Sequence, residues 1–65
     1  MPMIEVIIER WTQRDGHTDF LWSLWQHGKR TAMGEPLASA SEAEAAALAA
    51  CRNSFRREPD RITKL

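Results

Sequence analysis

The sequence predicts a small α+β domain: a three-stranded antiparallel meander with one C-terminal helix packed on it, and room for a short fourth strand at the end. Three observations carry this. Two long runs rich in β-branched and aromatic residues flank Asp15-Gly16. A shorter run follows His27-Gly28. An alanine-rich stretch then opens on serines and stops before Pro59.

The first run, residues 3–13, holds Ile4, Val6, Ile7, Ile8 and Trp11, which fit a pleated surface and lose rotamer freedom in a helix. Asp15-Gly16 reads as a two-residue type I′ turn, whose central positions need positive φ. Residues 18–26 form the second strand. With Asp15 and Gly16 as the turn, Trp11 lies opposite Phe20, Ile7 opposite Leu24 and Val6 opposite Trp25. His27-Gly28 suggests a second tight turn, leading into a third strand from Lys29 to Met33 with Met33 opposite Trp22. Gly34-Glu35-Pro36 ends it, because proline lacks the ladder donor.

Residues 39–58 carry the helix. Ser39 and Ser41 are both N-cap candidates, each with a glutamate three positions on. The alanine run that follows is strongly helix-forming, and Pro59 stops the helix near residue 57. Ala43, Ala47, Cys51, Ser54 and Phe55 share one face with Leu48 alongside, so Leu48 and Phe55 are expected to supply bulk. In the tail, Ile62 and Thr63 either add an edge strand or lie in an extended segment that docks Ile62 and Leu65.

Sixty-five residues make one domain at most, residues 1–65. A chain this short buries only about 60% of its unfolded surface and gains little margin over chain entropy. A lone cysteine, Cys51, permits no internal disulfide, which leaves association as the source of extra stability. Nine basic and nine acidic side chains balance, against the general field of a typical nucleic-acid or anionic-membrane binder. No stretch approaches the roughly 20 apolar residues of a membrane span. With no secretory pattern at the start, the expected location is cytoplasmic.

The apolar content exceeds what one helix can hide. On the expected register one sheet face carries Met3, Ile7, Trp11, Phe20, Trp22, Leu24 and Met33, and the other Ile4, Val6, Ile8, Leu21 and Trp25. The uncovered face must meet the tail, stay open or meet another molecule. The simplest such molecule is a second copy in a symmetric homodimer. The expected protein interface is Trp11, Trp22, Trp25, Ile4, Val6 and Ile8. A one-residue slip would exchange partners across the hairpin.

Catalytic and cofactor patterns are absent. Gly16, Gly28 and Gly34 form no phosphate loop, and no CxxC, HExxH or GxSxG run occurs. His17 and His27 sit at turns near opposite ends of strand two. Glu5 and Glu9 share a strand face and read as solubilising edge charges. Cys51 lies on the packing face, as a small hydrophobe. The expectation is no catalytic residue, no cofactor and no metal. Arg52, Arg56, Arg57, Arg61 and Lys64 give residues 51–64 a local excess of three positive charges over Glu58 and Asp60. Exposed, they would suit phosphates, with tryptophans stacking on single-stranded bases. Nucleic-acid binding is therefore the alternative to a non-catalytic, self-associating protein-interaction module.

The order of elements, with Gly34 ahead of Ser41-Glu42-Ala43-Glu44-Ala45, resembles the small strand-strand-strand-helix-strand domains related to HicB antitoxins over residues 3–57. That resemblance implies oligomerisation and toxin neutralisation, with operator binding through an extra domain. This sequence departs from it in its three tryptophans and in carrying no appended DNA-binding segment.

Overall fold

The structure, a computed structural model, describes residues 3–65. Its elements are β1 (Ile4–Thr12), β2 (Thr18–Gln26), β3 (Lys29–Met33), α1 (Ala40–Phe55) and β4 (Arg61–Lys64). They form a mixed sheet in the order β3-β2-β1-β4 with the helix on one face. The meander is antiparallel, and β4 joins the free side of β1 in parallel. The tail is therefore a strand.

The first turn corrects the expected register. Gly16 N–H donates to the Gln13 carbonyl at 3.0 Å and Gln13 N–H to the His17 carbonyl at 2.6 Å. The loop thus has three residues, Arg14-Asp15-Gly16, closed by a glycine at φ +89. Asp-Gly serves this bulged loop as well as the two-residue turn, because a left-handed residue is needed in both. Asp15 Oδ1 accepts from His17 N–H at 2.8 Å and steadies it. The consequence runs the length of the hairpin: Val6 lies opposite Leu24, Ile7 opposite Ser23 and Trp11 opposite Asp19. One residue of slip sends every β2 side chain to the face opposite the expected one.

The second turn is the type I′ turn, with His27 at φ 54 and Gly28 at φ 74. Beyond it the β2–β3 ladder shifts between Leu24 and Trp25, leaving Thr31 as the extra residue. Met33 therefore faces Ser23, where Trp22 was expected. The chain then hugs β2: Gly34 N–H donates to the Trp22 carbonyl, and Phe20 and Leu37 exchange two 2.8 Å backbone bonds. The Trp22 indole occupies the space that a Cβ on Gly34 would need.

Ser39 caps α1, its hydroxyl accepting from Glu42 N–H at 3.2 Å, while Ser41 lies inside the first turn. The helix ends at Phe55, two residues before the expected end. Arg56 takes a left-handed cap at φ 60, ψ 30, and its N–H donates to the Arg52 carbonyl.

Alternation puts Ile4, Val6, Ile8 and Leu24 under the helix against Ala43, Ala47 and Cys51, all of them buried. The three small helix residues let the backbone approach the sheet closely. Phe20, Trp22, Ala32, Leu37, Ala50 and Phe55 close the margins. Two expectations for the helix are corrected. Ser54 is exposed, and Leu48 is half-buried outside this cluster, so the loop residue Leu37 and the strand aromatics supply bulk in its place.

Asp60 fastens β4. Its Oδ2 accepts from Ile4 N–H at 2.8 Å, its own N–H donates to the Ile4 carbonyl, and Arg57 Nη2 reaches both carboxylate oxygens.

Candidate interaction surface

The odd-numbered positions of β1 and β2 point away from the helix. They place Met3, Ile7, Trp11, Leu21 and Trp25 on one open face, with Met33 beside them from β3. Met3, Trp11 and Met33 are 52%, 54% and 53% exposed, and Ile7, Leu21 and Trp25 are half-buried. Among the described residues no second layer lies over this largely apolar patch.

The polar atoms of the patch are satisfied locally. Trp11 Nε1 donates to Glu9 Oε2 at 2.9 Å, and Trp25 Nε1 to Ser23 Oγ at 2.8 Å. Each indole bonds the residue two positions earlier, which strand geometry puts on the same face. The indoles thus offer apolar area without an unmet donor. Glu5 accepts from Thr63 Oγ1 at 2.7 Å and has Arg61 at 3.9 Å. β4 pairs with β1 from Glu5 to Ile8, so Glu5 is an interior-strand residue, which corrects the reading of it as an edge charge, while Glu9 lies beyond the end of that ladder.

Two shallow depressions mark the patch. One, about 150 Å³, is lined by Glu9, Trp11, Leu21, Trp22, Ser23, Arg30 and Met33. The other, about 160 Å³, is lined by Met3, Glu5, Ile7, Trp25, His27 and Gly28.

The structure divides the six residues expected at an interface. Trp11 and Trp25 stand on the open face. Trp22 is half-buried against the core. Ile4, Val6 and Ile8 are 1%, 0% and 3% exposed beneath the helix, so no partner can reach them. The helix lies on the Ile4, Val6 and Ile8 face of β1, a choice the sequence left open, and the register slip brings Trp22 onto that face and carries Trp25 off it. Met3, Ile7, Leu21 and Met33 take their place.

The basic stretch is largely neutralised within the chain. Arg52 Nε meets Glu58 at 2.7 Å, Arg57 meets Asp60 at 2.6 Å, Lys64 meets Glu44 at 3.0 Å and Arg61 lies near Glu5. Arg56, the left-handed cap, is the member of the set with no carboxylate partner among the described residues.

Other reactive groups stay apart. His17 Nε2 pairs with Asp19 Oδ1 at 2.7 Å at one end of β2, and His27 sits at the other. Cys51 is fully buried, its Sγ donating to the Arg57 carbonyl at 3.2 Å. Burial, with the Glu58 carboxylate adding to it, pushes the thiol up from its ordinary pKa. Among the described residues no His, Cys, Asp or Glu cluster is placed to hold a metal, and no helix is long and apolar enough to cross a membrane. Comparison with protein families, curated proteins and solved structures finds no match to this chain.

Proposed function

We propose that this protein is a non-catalytic interaction module that self-associates through the open sheet face. The observation carrying the reading is the patch itself. Three large apolar side chains stand more than half exposed around half-buried Ile7, Leu21 and Trp25, on the face without a helix. Water against such a patch is unfavourable by roughly 25 cal/mol per Å² of apolar area. The indole N–H groups are already bonded, so covering them strands no donor. Zero formal net charge leaves little repulsion between copies. The HicB-like order of elements supports the same reading, since those domains oligomerise and bind protein.

The alternative, nucleic-acid binding through Arg52, Arg56, Arg57, Arg61 and Lys64, has no structural observation behind it, because four of the five cations already face carboxylates. Light scattering on a sizing column tests the self-association reading. Met33→Lys should convert a dimer to a monomer with its fold intact, and Arg56→Glu should leave the dimer unchanged. A monomeric wild type, or a Met33→Lys protein that stays dimeric, overturns the proposal.

A further inference from the structure

Residues 56–65 are attached to the body of the protein differently from the elements before them. The buried core and the apolar side chains at its margins all lie between Ile4 and Phe55. β4 pairs with one strand only, β1, and buries none of its side chains fully: Ile62 is 38% exposed and Thr63 half-buried. Its attachments are polar. Asp60 N–H donates to the Ile4 carbonyl at 2.8 Å and Leu65 N–H to the Ile8 carbonyl at 2.9 Å, one at each end of the ladder. Thr63 meets Glu5, Lys64 meets Glu44, and Glu58 meets Arg52 on α1. Exposed ion pairs add little to stability, and a segment with little apolar burial opens before the rest of a fold.

The connector ahead of β4 also covers Cys51. That thiol is fully buried, and its Sγ donates to the Arg57 carbonyl at 3.2 Å. The Arg57 guanidinium holds the Asp60 carboxylate at 2.6 Å, and Asp60 in turn bonds both backbone groups of Ile4. One line of contacts thus runs from the cover over Cys51 to the first rung of the β4 ladder, with Asp60 in the middle. We infer that residues 56–65 form a strap that opens and closes as one unit on an otherwise intact body, uncovering the Cys51 thiol and the outer edge of β1 together.

The connector fits such a motion. Arg56, at the hinge, is held at φ 60 and ψ 30, a left-handed conformation that side chains disfavour and that opening releases. Pro59 fixes the backbone between hinge and latch, so the connector swings as one piece. Closed, the sheet ends on β4, whose exposed Arg61 and Lys64 discourage the addition of another strand. Open, it ends on Ile4–Ile8 of β1, a largely apolar run with free backbone groups along its edge. The strap is therefore a guard on that edge, with Asp60 as its latch.

Thiol labelling and hydrogen exchange on the full chain test the strap. In the wild type an aromatic disulfide reagent should label Cys51 at a rate that changes little at low urea and joins the global unfolding line only near the transition. The amides of Asp60 and Leu65 should exchange with the same opening constant, while that of Ala47, in the middle of α1, exchanges only on global unfolding. Asp60→Ala should raise the labelling rate about tenfold or more, because the latch is gone. Leu24→Val weakens the core on β2, away from β4. It should lower the urea midpoint and leave labelling without urea within about twofold of the wild type. Labelling that follows the full urea dependence of global unfolding from the start, or that rises in Leu24→Val in step with the stability lost, overturns the strap. So does a folded Asp60→Ala protein that labels at the wild-type rate. Should Asp60→Ala not fold, the wild-type urea dependence decides by itself.

Discussion

Truncating Asp60 to alanine should destabilise the fold far more than truncating the arginine that pairs with it. The carboxylate has two jobs at the start of β4. It accepts from the backbone N–H of Ile4, a residue only 1% exposed, and it holds the Arg57 guanidinium. Asp60→Ala leaves the Ile4 donor unmet where water has poor access, a loss of about 1–3 kcal/mol. The ion pair is partly exposed on both sides, so its own worth is at most about 1 kcal/mol. Asp60→Ala should therefore lose roughly 2–3 kcal/mol, Arg57→Ala no more than about 1, and Asp60→Asn, which keeps an acceptor for Ile4, should fall between. In a domain of this size each kcal/mol shifts the melting midpoint by roughly 4–8 °C. The assay is urea unfolding of all four proteins at one concentration, since association links stability to concentration. Equal losses for Asp60→Ala and Arg57→Ala would refute the reasoning. They would mean that the ion pair, and not the capped Ile4 donor, holds β4.

Three other outcomes follow. Gly34→Ala forces a methyl into the Trp22 indole and should cost about 1–3 kcal/mol, with a shift in tryptophan emission that Ser54→Ala, at an exposed helix position, does not produce. Arg56→Gly should stabilise the protein by roughly 0.5–1 kcal/mol in thermal unfolding, because the residue sits at φ 60 where glycine has no Cβ penalty. Cys51 has a thiol pKa raised above its ordinary 9.0 in the fold, so its contribution is full below that value. Stability should decline as the solution is made more alkaline, through the folded-state value, and Cys51→Ala should flatten that decline in unfolding measured between neutral and alkaline pH.

Element types and order were legible because local chemistry fixes them. The β-branched runs, Asp15-Gly16, His27-Gly28, the Ser39 cap and Pro59 each act over a few residues. The strand made by the tail was one of two readings open from sequence, and the Asp60 contacts that select it join residues 56 positions apart. Register was not legible. Asp-Gly satisfies both a two-residue turn and a bulged three-residue loop, and the hydrogen bonds of Gln13 with Gly16 and His17 decide between them. That choice determined which tryptophans lie open. Period-two alternation grouped Met3, Ile7, Trp11 and Met33 correctly, while the β2 residues assigned to each face were exchanged. The neutralisation of Arg61 and Lys64 was equally hidden, since Glu5 and Glu44 approach them only in three dimensions.

The central claim is that the open face of Trp11, Met33 and their neighbours is covered by a second copy. Sedimentation equilibrium of the unmodified chain at micromolar concentration tests it most directly. The account predicts twice the chain mass, dissociating on dilution, and a single-chain mass throughout would contradict it.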